Sequence, residues 1–161
     1  MINFYMMYNG SGLDKEEYAL DIRALYEENN PTTELTKIEH IIKRDATASY
    51  LYAIRRGGRW LEGEDAIKTD PWTIVKYARI VIQSRWYTAE SYIMKHPIYA
   101  YYYAKHIIKG PWYEAEPYIA KSVEMIYYYS VDCIRERWVE QEWKLSQDAA
   151  LWERYKRFFK I

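Results

Sequence analysis

Apolar and polar positions recur in this chain with a period of 26 residues, and inside each period they follow the three-and-four spacing of helices. Trp60, Trp86, Trp112 and Trp138 stand 26 residues apart. A glutamate lies four positions beyond each (Glu64, Glu90, Glu116, Glu142), and an aliphatic residue three beyond that (Ile67, Ile93, Ile119, Leu145). Upstream, Tyr52, Tyr77, Tyr103, Tyr129 and Tyr155 recur, the first four followed by a small residue at Ala53, Ala78, Ala104 and Ser130. Asp45, Asp70, His96, Ser122 and Asp148 mark the boundaries of the period. One copy is a residue short, between Tyr52 and Trp60. Several independent columns in one register exclude chance.

Each period predicts two helices. Asp70-Pro71 supplies an N-cap and a first-turn proline. Ile74, Tyr77, Ala78 and Val81 then form a buried stripe, repeated as Ala100, Tyr103, Ala104 and Ile107. This first helix, about 13 residues long, is expected to stop at Gly57-Gly58, near Ser84 and at Gly110-Pro111, since glycine favours a C-cap and proline prevents continuation. The second helix is shorter, roughly Tyr87–Lys95 in the second copy, with Glu90 in its first turn where negative charge is favourable. Pro117 is expected to delay or kink its third copy.

The ends read as incomplete copies. Glu39, Ile42 and Asp45 match Glu64, Ile67 and Asp70, which makes Thr36–Arg44 the second helix of a degenerate leading repeat. Asp14-Lys15-Glu16-Glu17 resembles a capping box opening a helix to about Glu28, ended by Asn29-Asn30-Pro31. Asp148–Lys160 is a lone first helix whose Arg154, Lys156, Arg157 and Lys160 solvate an array end. The expectation is an all-α fold: one domain, an α-solenoid of about four 26-residue helix–turn–helix repeats. It comprises a tail (residues 1–12), a degenerate N-terminal repeat (13–44), four repeats (45–147) and a C-terminal capping helix (148–161).

At these residues the chain resembles a known pattern: Asp-Pro, then Tyr-Ala, then Gly-Arg-Trp-x-Glu-Ala-Glu-x-x-Ile-x-Lys. It is carried by Arg59-Trp60-Leu61-Glu62-Gly63-Glu64, Arg85-Trp86-Tyr87-Thr88-Ala89-Glu90, Pro111-Trp112-Tyr113-Glu114-Ala115-Glu116 and Arg137-Trp138-Val139-Glu140-Gln141-Glu142. Repeats of this kind occur in uncharacterised proteins of large tailed bacteriophages, and the short second helix is similar to leucine-rich-variant and HEAT-like repeats. The resemblance covers roughly residues 36–160. It implies an α-solenoid, a phage origin and hence the bacterial cytosol, and it brings no active site. Gln141 and Trp143 depart from the pattern in the fourth copy, which suggests adaptation to the array's end.

Composition narrows the function classes. Lys plus Arg number 23 and Asp plus Glu 23, so long-range attraction to nucleic acid or an anionic membrane is weak. By segment the balance is 5 positive to 8 negative over residues 1–44, 11 to 8 over 45–121 and 7 to 7 over 122–161, a mild dipole. Cys133 is the single cysteine, so no internal disulfide forms and a reducing compartment is the default. Met1–Tyr8 lacks the basic region and cleavage site of a signal peptide, and no apolar run approaches a membrane span. The 19 tyrosines and 7 tryptophans, against 3 phenylalanines, suit half-buried positions where a ring packs and its polar tip stays wet.

The repeated Trp and Glu columns could be taken as a ligand ladder, but a residue needed once per copy at a fixed place is what packing between repeats demands. A buried Trp requires a partner for its indole N–H, and the nearby glutamate is a candidate for that or for a backbone N–H. His40, His96 and His106 have no metal-ligand spacing and no second cysteine to help them, so no metal or cofactor is expected. Cys133 matches Val81 and Ile107 and is expected in the core. No phosphate-binding glycine loop and no nucleophile–base constellation is evident, so an enzyme is not expected.

Columns that vary between copies are free of packing duties: Thr47/Trp72/Ile98/Glu124, Ala48/Thr73/Tyr99/Met125, Leu51/Lys76/Tyr102/Tyr128 and Arg55/Ile80/His106/Asp132. They place Trp72, Tyr99, Tyr102, His106 and Tyr128 on a candidate binding surface, where large aromatics favour a protein partner. The leading expectation is a non-enzymatic binding scaffold, a phage accessory factor engaging a host or phage protein. Nucleic acid is the second class, through these rings and Arg55, Arg56, Arg59, Lys76, Arg79, Lys105 and Lys109. Self-association through an open array end is the third.

Overall fold

The structure, a computed structural model, describes residues 35–161. The expected tail over 1–12, the capping-box helix from Asp14 and the Asn29-Asn30-Pro31 stop lie outside these residues. The described residues are helical, with no strand among them. The chain divides into two compact units, Met1–Ile67 and Lys68–Ile161.

In the first unit, a 3-10 turn (Thr36–Ile38) leads into α1 (Glu39–Ile42), followed by α2 (Ala46–Arg56) and, after a second 3-10 turn (Leu61–Gly63), α3 (Glu64–Ile67). The expected helix Thr36–Arg44 is therefore a tighter, shorter object. Asp45 caps α2 by accepting the Ala48 N–H at 2.7 Å, and Gly57 ends it in the left-handed region at φ 76°. Tyr52, Ala53, Trp60 and Ile67 are buried, with the Tyr52 and Trp60 rings edge to face at 4.7 Å. Gly63 has a packing reason: a Cβ there would lie 2.4 Å from the Trp60 ring and 2.8 Å from Ser49 Cβ.

In the second unit the long elements are α4 (Pro71–Tyr77), α6 (Pro97–Tyr103), α8 (Val123–Tyr129) and α10 (Ala149–Phe159). Between them lie the short helices α5 (Tyr87–Ile93), α7 (Glu116–Ile119) and α9 (Glu142–Leu145), the last two entered through 3-10 turns Tyr113–Ala115 and Val139–Gln141. Successive long helices pack on one another, α4 on α6, α6 on α8 and α8 on α10. Asp70, Ser122 and Asp148 cap α4, α8 and α10 with their side chains, while His96 makes no side-chain cap and leaves the start to Pro97. Pro117 lies in the first turn of α7 and neither delays nor kinks it, since α3 and α9 open through the same 3-10 turn without a proline.

The long helices do not stop where an α-helix would. Each of α4, α6 and α8 runs on into a π-helical turn, Ala78–Ile82, Ala104–Ile108 and Ser130–Ile134, in which the chain carries one more residue per turn. The Lys109 N–H reaches the Ala104 carbonyl and the Arg135 N–H the Ser130 carbonyl, each at 2.7 Å and five residues back. Helices α2 and α10 remain α-helical to their ends. This accounts for the short copy: the left-handed Gly57 follows Tyr52 by five positions, whereas Gln83 follows Tyr77 by six. Gly57 is a stop where one was expected, but the later helices end on side-chain-bearing residues: Gln83, Lys109, Arg135 and Lys160 take the left-handed conformation with φ of 58°, 62°, 61° and 58°.

Candidate binding surface

In the second unit the core tyrosines of α6, α8 and α10 join neighbouring copies, and this joint positions the surface. The Tyr103 hydroxyl accepts the Trp86 N–H at 2.6 Å and donates to Glu90 Oε1 at 3.1 Å. The same pair of bonds links Tyr129 to Trp112 and Glu116, and Tyr155 to Trp138 and Glu142. In the first unit Tyr52 donates to Glu39 at 2.6 Å. The rings of Tyr103 and Tyr129 lie 5.2 and 5.3 Å from Trp112 and Trp138, so each of these side chains touches two successive tryptophans, one by its ring and one by its hydroxyl. Burial pushes the Tyr103 and Tyr129 hydroxyls well above the usual phenol range. The glutamate therefore serves tyrosine and arginine rather than the indole, and the Trp86 indole N–H is buried with no hydrogen-bond partner among the described residues.

With the joint fixed, the outer face of α4, α6 and α8 brings the sequence-derived residues together. The Trp72 ring lies 5.5 Å from Tyr102 and 6.3 Å from Tyr99. Tyr102 stacks on His106 at 6.0 Å with the planes 8° apart. Tyr101 joins Tyr102 (5.1 Å) to Tyr128 (6.0 Å). All five expected residues, Trp72, Tyr99, Tyr102, His106 and Tyr128, thus belong to one connected aromatic layer.

Two expectations about it need correction. Only Trp72 is openly exposed, at 42%; Tyr99, Tyr102, His106 and Tyr128 are half-buried because they lean on one another across neighbouring helices. The column Ala48/Thr73/Tyr99/Met125 is not free of packing duty, since Ala48, Thr73 and Met125 are buried. Thr73 hydrogen-bonds Asp70 through both its N–H and its hydroxyl, which turns it inward.

Sequence reasoning missed Tyr101, Tyr127 and a charge network. The Tyr101 hydroxyl donates to Asp132, and Lys105 Nζ donates to Asp132 at 2.8 Å and to Tyr101 at 3.1 Å. Lys105 and Asp132 lie in the π turns of consecutive long helices, so the polar bridge joins one π turn to the next. Asp132 loses solvent, which opposes its ionisation, yet bonds from Lys105 and Tyr101 hold its carboxyl below the usual range. Hydrogen bonds to Asp132 and Tyr101 raise the Lys105 ammonium in turn. Desolvation, with the nearby charges of Arg79 and Lys105, lowers the His106 imidazole below its usual range. The available signal was that Tyr101 and Tyr127 each precede a surface tyrosine in the same register.

Cys133 is buried, as its register predicts, and burial pushes its thiol up to about 12. Ser130 spends its hydroxyl on the Ile126 carbonyl at 2.7 Å. Among the described residues no group of three His, Cys, Asp or Glu side chains is placed to hold a metal ion, and no helix is long and apolar enough to cross a membrane. Compared with known proteins, the chain matches no family, no curated protein and no solved structure.

Proposed function

We propose that the chain is a non-enzymatic α-solenoid of about four helix–turn–helix repeats that binds a polypeptide partner through the aromatic layer around Trp72 and Tyr102. The supporting observation is that layer: side chains from three successive long helices form one surface of indole, phenol and imidazole rings, the groups that dominate interface hot spots. On the sequence resemblance, the setting is a bacterial cytosol during phage infection and the partner a host or phage protein. The nucleic-acid reading is weaker, because Lys105 spends its charge on Asp132 and the exposed Glu124 lies at the edge of the same face.

The test is capture from bacterial lysate with the tagged full chain, a Trp72→Ala/Tyr102→Ala double variant and a Leu61→Ala variant, whose exposed side chain lies outside this layer. A partner held stoichiometrically by the parent and by Leu61→Ala, and lost by the double variant while its melting curve stays cooperative, supports the proposal. A partner retained equally by all three, or none recovered, overturns it.

A further inference from the structure

Three of the four copies commit the glutamate at the head of the second helix to an arginine five residues before it. Arg59 Nε and Nη2 meet the two oxygens of Glu64 at 2.7 and 3.0 Å. Arg85 meets Glu90 at 2.8 and 2.8 Å, and Arg137 meets Glu142 at 2.7 and 2.7 Å. These are parallel two-point contacts between a planar guanidinium and a carboxylate, the geometry arginine satisfies and lysine does not. In the second copy a ring covers the pair, with Arg85 Cζ 4.9 Å from the centre of Tyr87.

The third copy keeps every part of this arrangement except the cation. Glu116 Oε1 takes the Tyr129 hydroxyl at 3.1 Å, as Glu90 takes Tyr103 at 3.1 Å and Glu142 takes Tyr155 at 3.2 Å. Trp112 has φ −122° and ψ 84°, close to Trp86 at −109° and 77°. Tyr113 stands where Tyr87 does and is 73% exposed. The position of the arginine, however, is Pro111, which has no donor at all. Among the described residues, Oε2 of Glu116 has no hydrogen-bond partner and no lysine or arginine forms an ion pair with this carboxylate, whose side-chain bond is the one from Tyr129. The surroundings add negative charge: Glu140 acts on Glu116, and Glu114 lies exposed two residues away.

We infer that Glu116, with Tyr113 beside it, is a receptor for a guanidinium group supplied from outside the chain, the side chain of an arginine on a partner polypeptide. The carboxylate and its tyrosine bond match those of the sibling copies, and Tyr113 stands at the position whose ring covers the arginine in the second copy. An ammonium or a metal ion would use neither the parallel two-point contact nor the ring face as well. Only the source of the arginine rests on the scaffold reading; the chemistry of the receptor does not.

The test is an NMR titration of the full chain with N-acetyl-arginine methylamide, following the side-chain carboxyl carbons of Glu116 and Glu142, with the lysine and citrulline analogues as controls. The expected result is a saturable shift at Glu116 and a fall of its titration midpoint toward that of Glu142. The lysine analogue should act more weakly, citrulline not at all, and Glu142 should stay still. Pro111→Arg supplies the guanidinium within the chain and should abolish the response while lowering the Glu116 midpoint by itself. A cooperative melting curve shows that this variant is folded. No shift at Glu116, an equal shift at Glu142, equal action by lysine, or a response surviving in Pro111→Arg each overturns the inference. Since the readout needs no partner and Trp72→Ala/Tyr102→Ala should retain it, its failure is distinct from failure of the proposed function.

Discussion

The hydroxyl of Tyr129 accepts the backbone N–H of Trp112 at 2.6 Å across 17 residues of chain. Trp112 immediately precedes a 3-10 turn, so its N–H has no partner of its own in regular structure, and it is buried. Tyr129→Phe keeps the ring against Trp138 and removes only the oxygen. Leaving a buried donor unmet should cost about 2 kcal/mol. For a chain of this size that lowers the melting temperature by roughly 5 °C. Calorimetry checks it against Tyr113→Phe, whose exposed ring predicts a change within the measurement error.

Glu142 and Glu116 occupy equivalent places and should respond to acid in opposite senses. Hydrogen bonding to Arg137 lowers the Glu142 carboxyl, so its stabilisation is present above the unfolded-state pKa and is lost as pH falls through the folded value. Desolvation raises the Glu116 carboxyl, so its contribution is fully present below the unfolded-state pKa and is lost as pH rises through the folded value. Glu142→Gln should therefore lower the melting temperature at neutral pH, with the loss vanishing as pH falls through the lowered folded-state pKa. Glu116→Gln keeps an acceptor for Tyr129 and should raise the melting temperature at neutral pH, the gain vanishing at higher pH than the Glu142 loss, as pH falls from the raised folded-state pKa to the unfolded-state one. Melting curves across the acid range decide both.

Left-handed backbone at Gln83 and Arg135 strains residues that carry a Cβ. Glycine relieves the strain but loses more freedom on folding, so Gln83→Gly and Arg135→Gly should each stabilise by only about 0.5 kcal/mol. Urea midpoints moving upward without a change of slope would show it. A downward move would mean that the side chains at these turns contribute more than their backbones lose.

Cys133 should resist alkylation in the native state, because only the thiolate attacks and burial pushes that thiol up to about 12. Labelling with iodoacetamide at neutral pH should be slower than for a free thiol and should accelerate in proportion to unfolding as urea is added.

How much of this was legible in the sequence differs by feature. The recurring Trp, Glu and Tyr columns located the helices and their caps, because burial at a fixed register leaves its mark on residue choice. The aromatic layer was readable as five residues from the columns that vary. The π turns were not, since an extra residue inside a helix changes hydrogen bonding without changing which side chains are apolar. Their only trace was the residue missing between Tyr52 and Trp60. The partners of the glutamates also escaped, because a column says that a residue is needed and not which atom it meets. The burial of Thr73 and Met125 was hidden by their variation, as one inward position accepts a threonine that bonds its own cap and a methionine that fills space.

The tyrosine joint has a consequence for how such a chain grows or shrinks in inheritance. Within the second unit the Trp and Glu of one copy are completed by a Tyr that belongs to the next, so none of these copies is self-sufficient. A duplication of one full period, wherever its breakpoints fall, preserves every pairing, because each new Trp meets a new Tyr. Loss of the last helix has no such immunity: without Tyr155, the Trp138 N–H and the Glu142 carboxylate lose the group that joins them. The genetics of the array is thus asymmetric, tolerant of whole-period gain in its middle and intolerant of erosion from its C-terminal side.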